Sequence, residues 1–208
     1  MIKNIPIVII SLSFIFAIFI SPLMPPMMAS HWGINGEVNG YMSKFWGLYF
    51  MPILSLSLYF LFLFLPKFDP YKKNFKEFET HYHNFIAIII AFLFYIYALT
   101  IFWNLGYRFN MIQVLSPAFT ILFYFAGVLT SNARQNWFVG IRTPWTLSNK
   151  VVWQKTHAIG GKLFKLTALI TLFGVIVPQY AFYLLIIPIL FTTIFVFIYS
   201  YSVFRGQA

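Results

Sequence analysis

Apolar residues in this chain come in long unbroken runs with no alternation. Six runs, at about residues 5–22, 47–66, 84–103, 111–130, 163–178 and 181–202, are separated by polar stretches. Each has roughly 16–22 residues, close to the ~20 that carry an α-helix across a ~30 Å hydrocarbon core at ~1.5 Å per residue. The pattern predicts an all-α polytopic membrane protein: six transmembrane helices with a long cytoplasmic loop between helices 4 and 5. The first run has the length of a secretory leader. It continues through Ile20 into Pro22, Pro25 and Pro26 with no small-residue cleavage site, so it reads as an uncleaved span. Pro52, Pro117 and Pro188 fall inside runs and predict kinks, with Ser116 and Thr120 placed to bond carbonyls that Pro117 frees.

The polar stretches divide the chain. Residues 1–66 read as an N-terminal hairpin of two spans with an outward loop, residues 67–83 as a charged linker, and residues 84–208 as a four-helix membrane domain. The longest polar interruption, residues 131–162, holds three of the six tryptophans, five of the fourteen basic residues and no acid. A loop this long inside a compact protein is functional or disordered, and its Trp and Ile content argues against disorder. Within it Arg142-Thr143-Pro144 should be extended, because the residue before proline avoids the helical region. Ser148 reads as the N-cap of a short interfacial helix over about 149–159, ended by Gly160-Gly161. Val152, Trp153, Thr156 and Ile159 share a helical spacing, which puts Trp153 at headgroup depth.

Composition supports lipid as the solvent. Apolar residues make up 61% of the chain and charged ones 9%, against roughly 25% charged in a soluble domain. The net charge of +10 is distributed as a topology signal and not as a nucleic-acid patch. Lys3, Lys67, Lys72, Lys73, Lys76, Arg134, Arg142, Lys150, Lys155, Lys162, Lys165 and Arg205 flank one set of helix ends; Lys44 and Arg108 flank the other. Twelve against two places both termini, the linker and the 131–162 loop in the cytoplasm, and residues 23–46 outside. Cysteines introduced at Asn35 and Asn149 should then be reached from opposite sides. The chain itself contains no cysteine, which excludes disulfides and thiol chemistry.

Candidate chemistry is sparse. His157 and His31 could act as acid/base groups, yet the charge pattern separates them across the membrane. His81 and His83 beside Glu77 and Glu79 read as a solvated loop. No helix-spaced metalloprotease pair, phosphate loop or GxSxG elbow occurs, and no acid, His or Arg interrupts the middle of a run. Neither a catalytic site nor a metal or other cofactor is expected.

Asn136-Trp137, Gly140-Ile141-Arg142-Thr143-Pro144-Trp145-Thr146-Leu147-Ser148 and Val152-Trp153 followed by Thr156-His157 resemble the signature of the Sdp immunity protein family. His31-Trp32, Gly36-Glu37 and Gly40-Tyr41 resemble the domain of unknown function that members carry at the N-terminus, with Gly33 where that pattern has Asn. The resemblance implies a bacterial multi-pass cell-membrane protein giving immunity to a secreted antimicrobial peptide toxin, without catalysis. Its implied functional residues are Asn136, Trp137, Gly140, Arg142, Thr143, Pro144, Trp145, Trp153, Thr156 and His157 in the long loop, and His31, Trp32, Gly36 and Glu37 outside. The implied partners are the lipid bilayer, a peptide toxin and a cytoplasmic regulatory protein; nucleic acid is not among them. Two other readings use the same residues: a signalling receptor that recruits the regulator to the basic loop, and a membrane enzyme using His157 or His31.

Overall fold

The computed structural model describes residues 2–34 and 36–207, so Asn35 lies outside the described residues. Helix α1 (Ile5–Ile20) leads through a 3-10 turn into two short strands, β1 (Met27–Trp32) and β2 (Val38–Ser43). Then follow α2 (Lys44–Phe68), α3 (Lys72–Asn104), α4 (Met111–Asn132), the one-and-a-half-turn α5 (Pro144–Ser148), α6 (Lys150–Leu172) and α7 (Ala181–Arg205). Six of these helical segments are long and apolar enough to cross a membrane, the first running to Leu23 and the fifth from Lys150 to Val175. The protein is thus an all-α polytopic membrane protein apart from the small hairpin. Phe19, Leu23, Ile121, Ile187, Phe191 and Ile198 point outward, as residues bathed in lipid must.

Three departures from the sequence reading have physical causes. The β1–β2 hairpin was hidden among prolines and glycines; its edge is gripped by Asn104, whose Oδ1 accepts from the Ala29 N–H at 2.8 Å and whose Nδ2 donates to the Ala29 carbonyl at 3.0 Å. The segment read as a charged loop begins α3 instead. Phe75, Phe78, Tyr82, Ile86 and Ile90 repeat at three- and four-residue steps and are buried, while Lys72, Lys73, Lys76 and Glu77 face water. A bend at Phe78 (φ −125°, ψ 18°) separates these charged turns from the span.

The fifth span starts at Lys150, and Gly160-Gly161 lie inside it. Instead of ending a helix, Gly161 lets α6 meet α4: a Cβ there would sit 2.8 Å from the Gly127 carbonyl, and one on Gly127 would sit 2.7 Å from the Gly161 carbonyl. Small residues that admit such backbone contact are how helices associate in lipid. At Pro117 the nearby hydroxyls bond other carbonyls than the one it frees: Ser116 donates to Ile112 and Thr120 to Ser116.

Candidate functional site

The connection from α4 to α6 is short, polar and held from inside. Asn136 is fully buried and makes four bonds to its own loop. Its Nδ2 donates to the Arg134 and Val139 carbonyls at 2.7 and 2.9 Å; its Oδ1 accepts from the Phe138 and Val139 N–H groups at 2.9 and 2.6 Å. One amide side chain thereby satisfies both faces of a tight bend that has no secondary structure to do so. The loop is pinned to the rest of the protein by Asp69, also fully buried, whose Oδ1 and Oδ2 accept from the Tyr71 and Trp137 N–H groups at 2.7 and 2.8 Å. Asn74 adds a bond to the Gln135 carbonyl at 2.5 Å.

Gly140 turns the chain with φ +107°, and a Cβ in its place would collide with the His157 imidazole. That close approach lets the next N–H, of Ile141, donate to His157 Nε2 at 3.0 Å. His157 Nδ1 lies 2.9 Å from the Trp153 carbonyl, one turn back on α6. The two bonds assign a neutral ring protonated at Nδ1, since Nε2 must accept. The imidazole stacks on the Trp153 indole at 3.8 Å between centroids and 16° between planes, and Trp153 Nε1 donates to the Ala133 carbonyl at 2.9 Å. Both His157 nitrogens are therefore occupied within the fold. Thr156, beside it, is buried with its hydroxyl unpaired among the described residues.

Thr143 begins α5 with a reciprocal capping box: its hydroxyl accepts from the Thr146 N–H at 3.2 Å and its own N–H donates to the Thr146 hydroxyl at 2.9 Å. Pro144 occupies the first helical position, where no N–H is needed. Trp145 packs on Phe197 and Tyr201 of α7, at 5.3 and 5.0 Å, and Thr143 reaches Ser200 at 3.2 Å. Arg142 and Trp137 are exposed, and Arg142 Nη1 donates to the Trp137 carbonyl at 2.9 Å. Helix α6 is capped by Asn149, whose Oδ1 accepts from the Val151 and Val152 N–H groups at 2.8 and 3.1 Å; the predicted cap, Ser148, belongs to α5. Trp153 faces protein and is 2% exposed, so it is no headgroup anchor.

The second predicted group lies at the other end of the molecule. Helix α3 has Asn104 against β1 and Asn74 against the motif loop, and the thirty residue steps between them span ~45 Å at ~1.5 Å each. His31 and His157 therefore cannot share a site. His31 Nδ1 lies 2.5 Å from Asn39 Oδ1, Trp32 meets Trp103 edge-on at 5.8 Å, and Gly36 (φ +81°) forms the turn beside Asn110. Glu37 is exposed, and Arg108 lies over the Trp103 ring, 3.8 Å from its centroid. The acids near His81 and His83 are engaged: Glu79 meets Lys3 at 2.6 Å and His83 at 3.4 Å, and Glu77 meets Arg134 at 2.8 Å.

The sequence reading missed Asp69, Asn74 and Gln135, and took Thr146 as part of the motif without giving it a role. The signal for Thr146 was present, in a Thr-Pro-x-Thr start with matching hydroxyls. Asp69-Pro70 signals a local turn onto the Tyr71 N–H, but nothing in the sequence signals the bond to Trp137, 68 positions away.

Residues 132–200 match the SdpI/YfhL protein family, and residues 8–56 match a domain of unknown function, DUF1648. The Immunity protein SdpI of Bacillus subtilis (strain 168) is 24% identical to this chain over 205 residues, covering 98% of this chain and 96% of that one. No solved structure matches. All ten loop residues of the predicted motif, from Asn136 to His157, fall within the SdpI/YfhL segment; the outward four fall within the other.

Proposed function

On a chain that carries the SdpI/YfhL family segment at residues 132–200, we propose a membrane immunity protein that protects its own cell from a secreted antimicrobial peptide toxin and does so without catalysis. The observation that carries this reading is the whole-length likeness to an immunity protein, with the family segment folded around a histidine that has no free nitrogen. A protein that acts by presenting a fixed surface needs such a buried frame; an enzyme needs an accessible acid or base. In this reading Asn136, Gly140, Thr143, Pro144, Trp153, Thr156 and His157 hold the loop, Trp145 ties it to α7, and Arg142 with Trp137 forms its exposed face. His31, Trp32, Gly36 and Glu37 shape the opposite face, which the basic asymmetry turns outward while both termini stay in the cytoplasm. Residues 1–66 and 84–208 then act as two membrane units joined through the charged turns of 67–83.

The test is expression in a bacterium killed by such a toxin. Cells making the protein should survive concentrations that kill cells with the empty vector. Equal killing, with the protein shown to be in the membrane, would overturn the reading.

A further inference from the structure

At the end of the molecule where the motif loop lies, α3, α4 and α6 enclose a cleft of ≈ 650 Å³ floored by the stacked Trp153 and His157. Its walls are rich in hydrogen-bond donors that the fold has not used. Arg134 gives only its Nε to Glu77, so both terminal guanidinium nitrogens are free of protein partners among the described residues. Lys150, Gln154 and Ser131 line the same space, and their side chains donate to no protein group among the described residues. Against these stand one acid, Glu77, which Arg134 already engages, and His157, whose nitrogens are both occupied. Two cations and one anion leave the cleft with net positive charge.

The surroundings strengthen that field. Glu79 is paired with Lys3, and Asp69 is turned inward onto backbone N–H groups. Lys72, Lys73 and Lys76, on the exposed side of the first turns of α3, have no acid partner among the described residues. A donor-lined concavity inside a basic surface concentrates anions, and a guanidinium with two free nitrogens matches the spacing of phosphate oxygens. Basic pockets between the ends of membrane helices are also where anionic headgroups bind.

We propose that this cleft is a binding site for an anionic phosphate group, held by Arg134 and Lys150 with Gln154 and Ser131 as neutral donors. The phosphate is either that of an anionic lipid headgroup or a free one, and the bound anion would brace the Trp153–His157 floor from the open side. This goes beyond the immunity reading and does not depend on it, because binding is measured on the purified protein.

The full chain, purified in a neutral detergent, is titrated separately with phosphatidylglycerol and with inorganic phosphate at constant ionic strength. Lipid adducts are counted by native mass spectrometry and phosphate by equilibrium dialysis. Wild-type protein should bind at least one of the two, and Lys150→Gln should weaken that binding about tenfold. Lys155→Gln, an equal loss of charge on the same helix but outside the cleft, should change it less than twofold. Arg134→Gln should weaken it as much; since that variant also breaks the pair with Glu77, Lys150→Gln, which leaves the pair intact, is the deciding one. Binding of the lipid alone assigns a headgroup site, and binding of inorganic phosphate assigns a soluble ligand. Binding of neither, or equal losses in Lys150→Gln and Lys155→Gln, would overturn the proposal.

Discussion

Asp69 and Trp137 are 68 positions apart, yet the Asp69 carboxylate accepts the Trp137 N–H at 2.8 Å in the protein interior. The other oxygen accepts from Tyr71, so one side chain fixes both the start of α3 and the start of the motif loop. No cation pairs with it among the described residues; the two N–H donors are its compensation for lost water. Asp69→Ala would take the acceptor from both N–H groups, at about 1 kcal/mol or more for each lost bond. Thermal unfolding in detergent should show a clearly lowered midpoint for Asp69→Ala. A midpoint equal to wild type would mean that the loop holds itself through Asn136 alone.

Two glycines with the same backbone angle separate strain from collision. Gly106 and Gly140 both have φ +107°; a Cβ on Gly106 meets nothing within 4 Å, whereas one on Gly140 runs into His157. Gly106→Ala should cost only the backbone strain, on the order of 1–3 kcal/mol. Gly140→Ala must in addition displace the imidazole, losing the Ile141 bond and the stack on Trp153. Unfolding midpoints should therefore fall further for Gly140→Ala, and its tryptophan emission should shift while that of Gly106→Ala stays put. Equal losses would show that the loop yields without moving His157.

Arg142 holds the Trp137 carbonyl while staying exposed, so its planar fork retains donors for a partner. Lysine offers a point charge with no fork. Arg142→Lys should reduce survival in the toxin challenge while Lys155→Arg does not, with both proteins reaching the membrane at wild-type levels. Full protection by Arg142→Lys would move the functional face to the opposite end, around His31.

The spans were legible because lipid demands long apolar runs and the chain supplies them without interruption. Ile5, Leu61, Ile121 and Ile198 say the same thing whatever they pack against. The site was legible only in its composition. The spacing of Trp153 with Val152 and Thr156 marks a helix face, and spacing alone does not say whether protein or lipid covers that face. Gly160-Gly161 reads equally well as a stop and as a close-packing point, and only the arrival of Gly127 chooses between them. The hold of Asp69 on the motif loop could not be found, since it exists only once residue 137 is brought beside it. The charged turns of α3 were findable: Phe75, Phe78 and Tyr82 carry the helical repeat of the following span backward through the lysines.

Topology provides the last prediction. The twelve cations at one set of ends include Lys150, Lys155, Lys72 and Arg134, all grouped by the fold around the motif loop, whereas Lys44 and Arg108 stand near the β1–β2 hairpin. The positive-inside rule predicts that insertion keeps these basic ends in the cytoplasm. The absence of cysteine makes the test clean, because a single introduced thiol is the only one in the chain. Asn149 is unsuited as a probe position, since it caps α6, and Asn35 lies outside the described residues. Ile34, 56% exposed at the hairpin tip, and Lys155, exposed on α6, replace them. A membrane-impermeant maleimide added to intact cells should modify Ile34→Cys and spare Lys155→Cys; permeabilised cells should give both. Labelling of Lys155→Cys from outside intact cells would invert the molecule, and the donor-lined cleft would then face the medium.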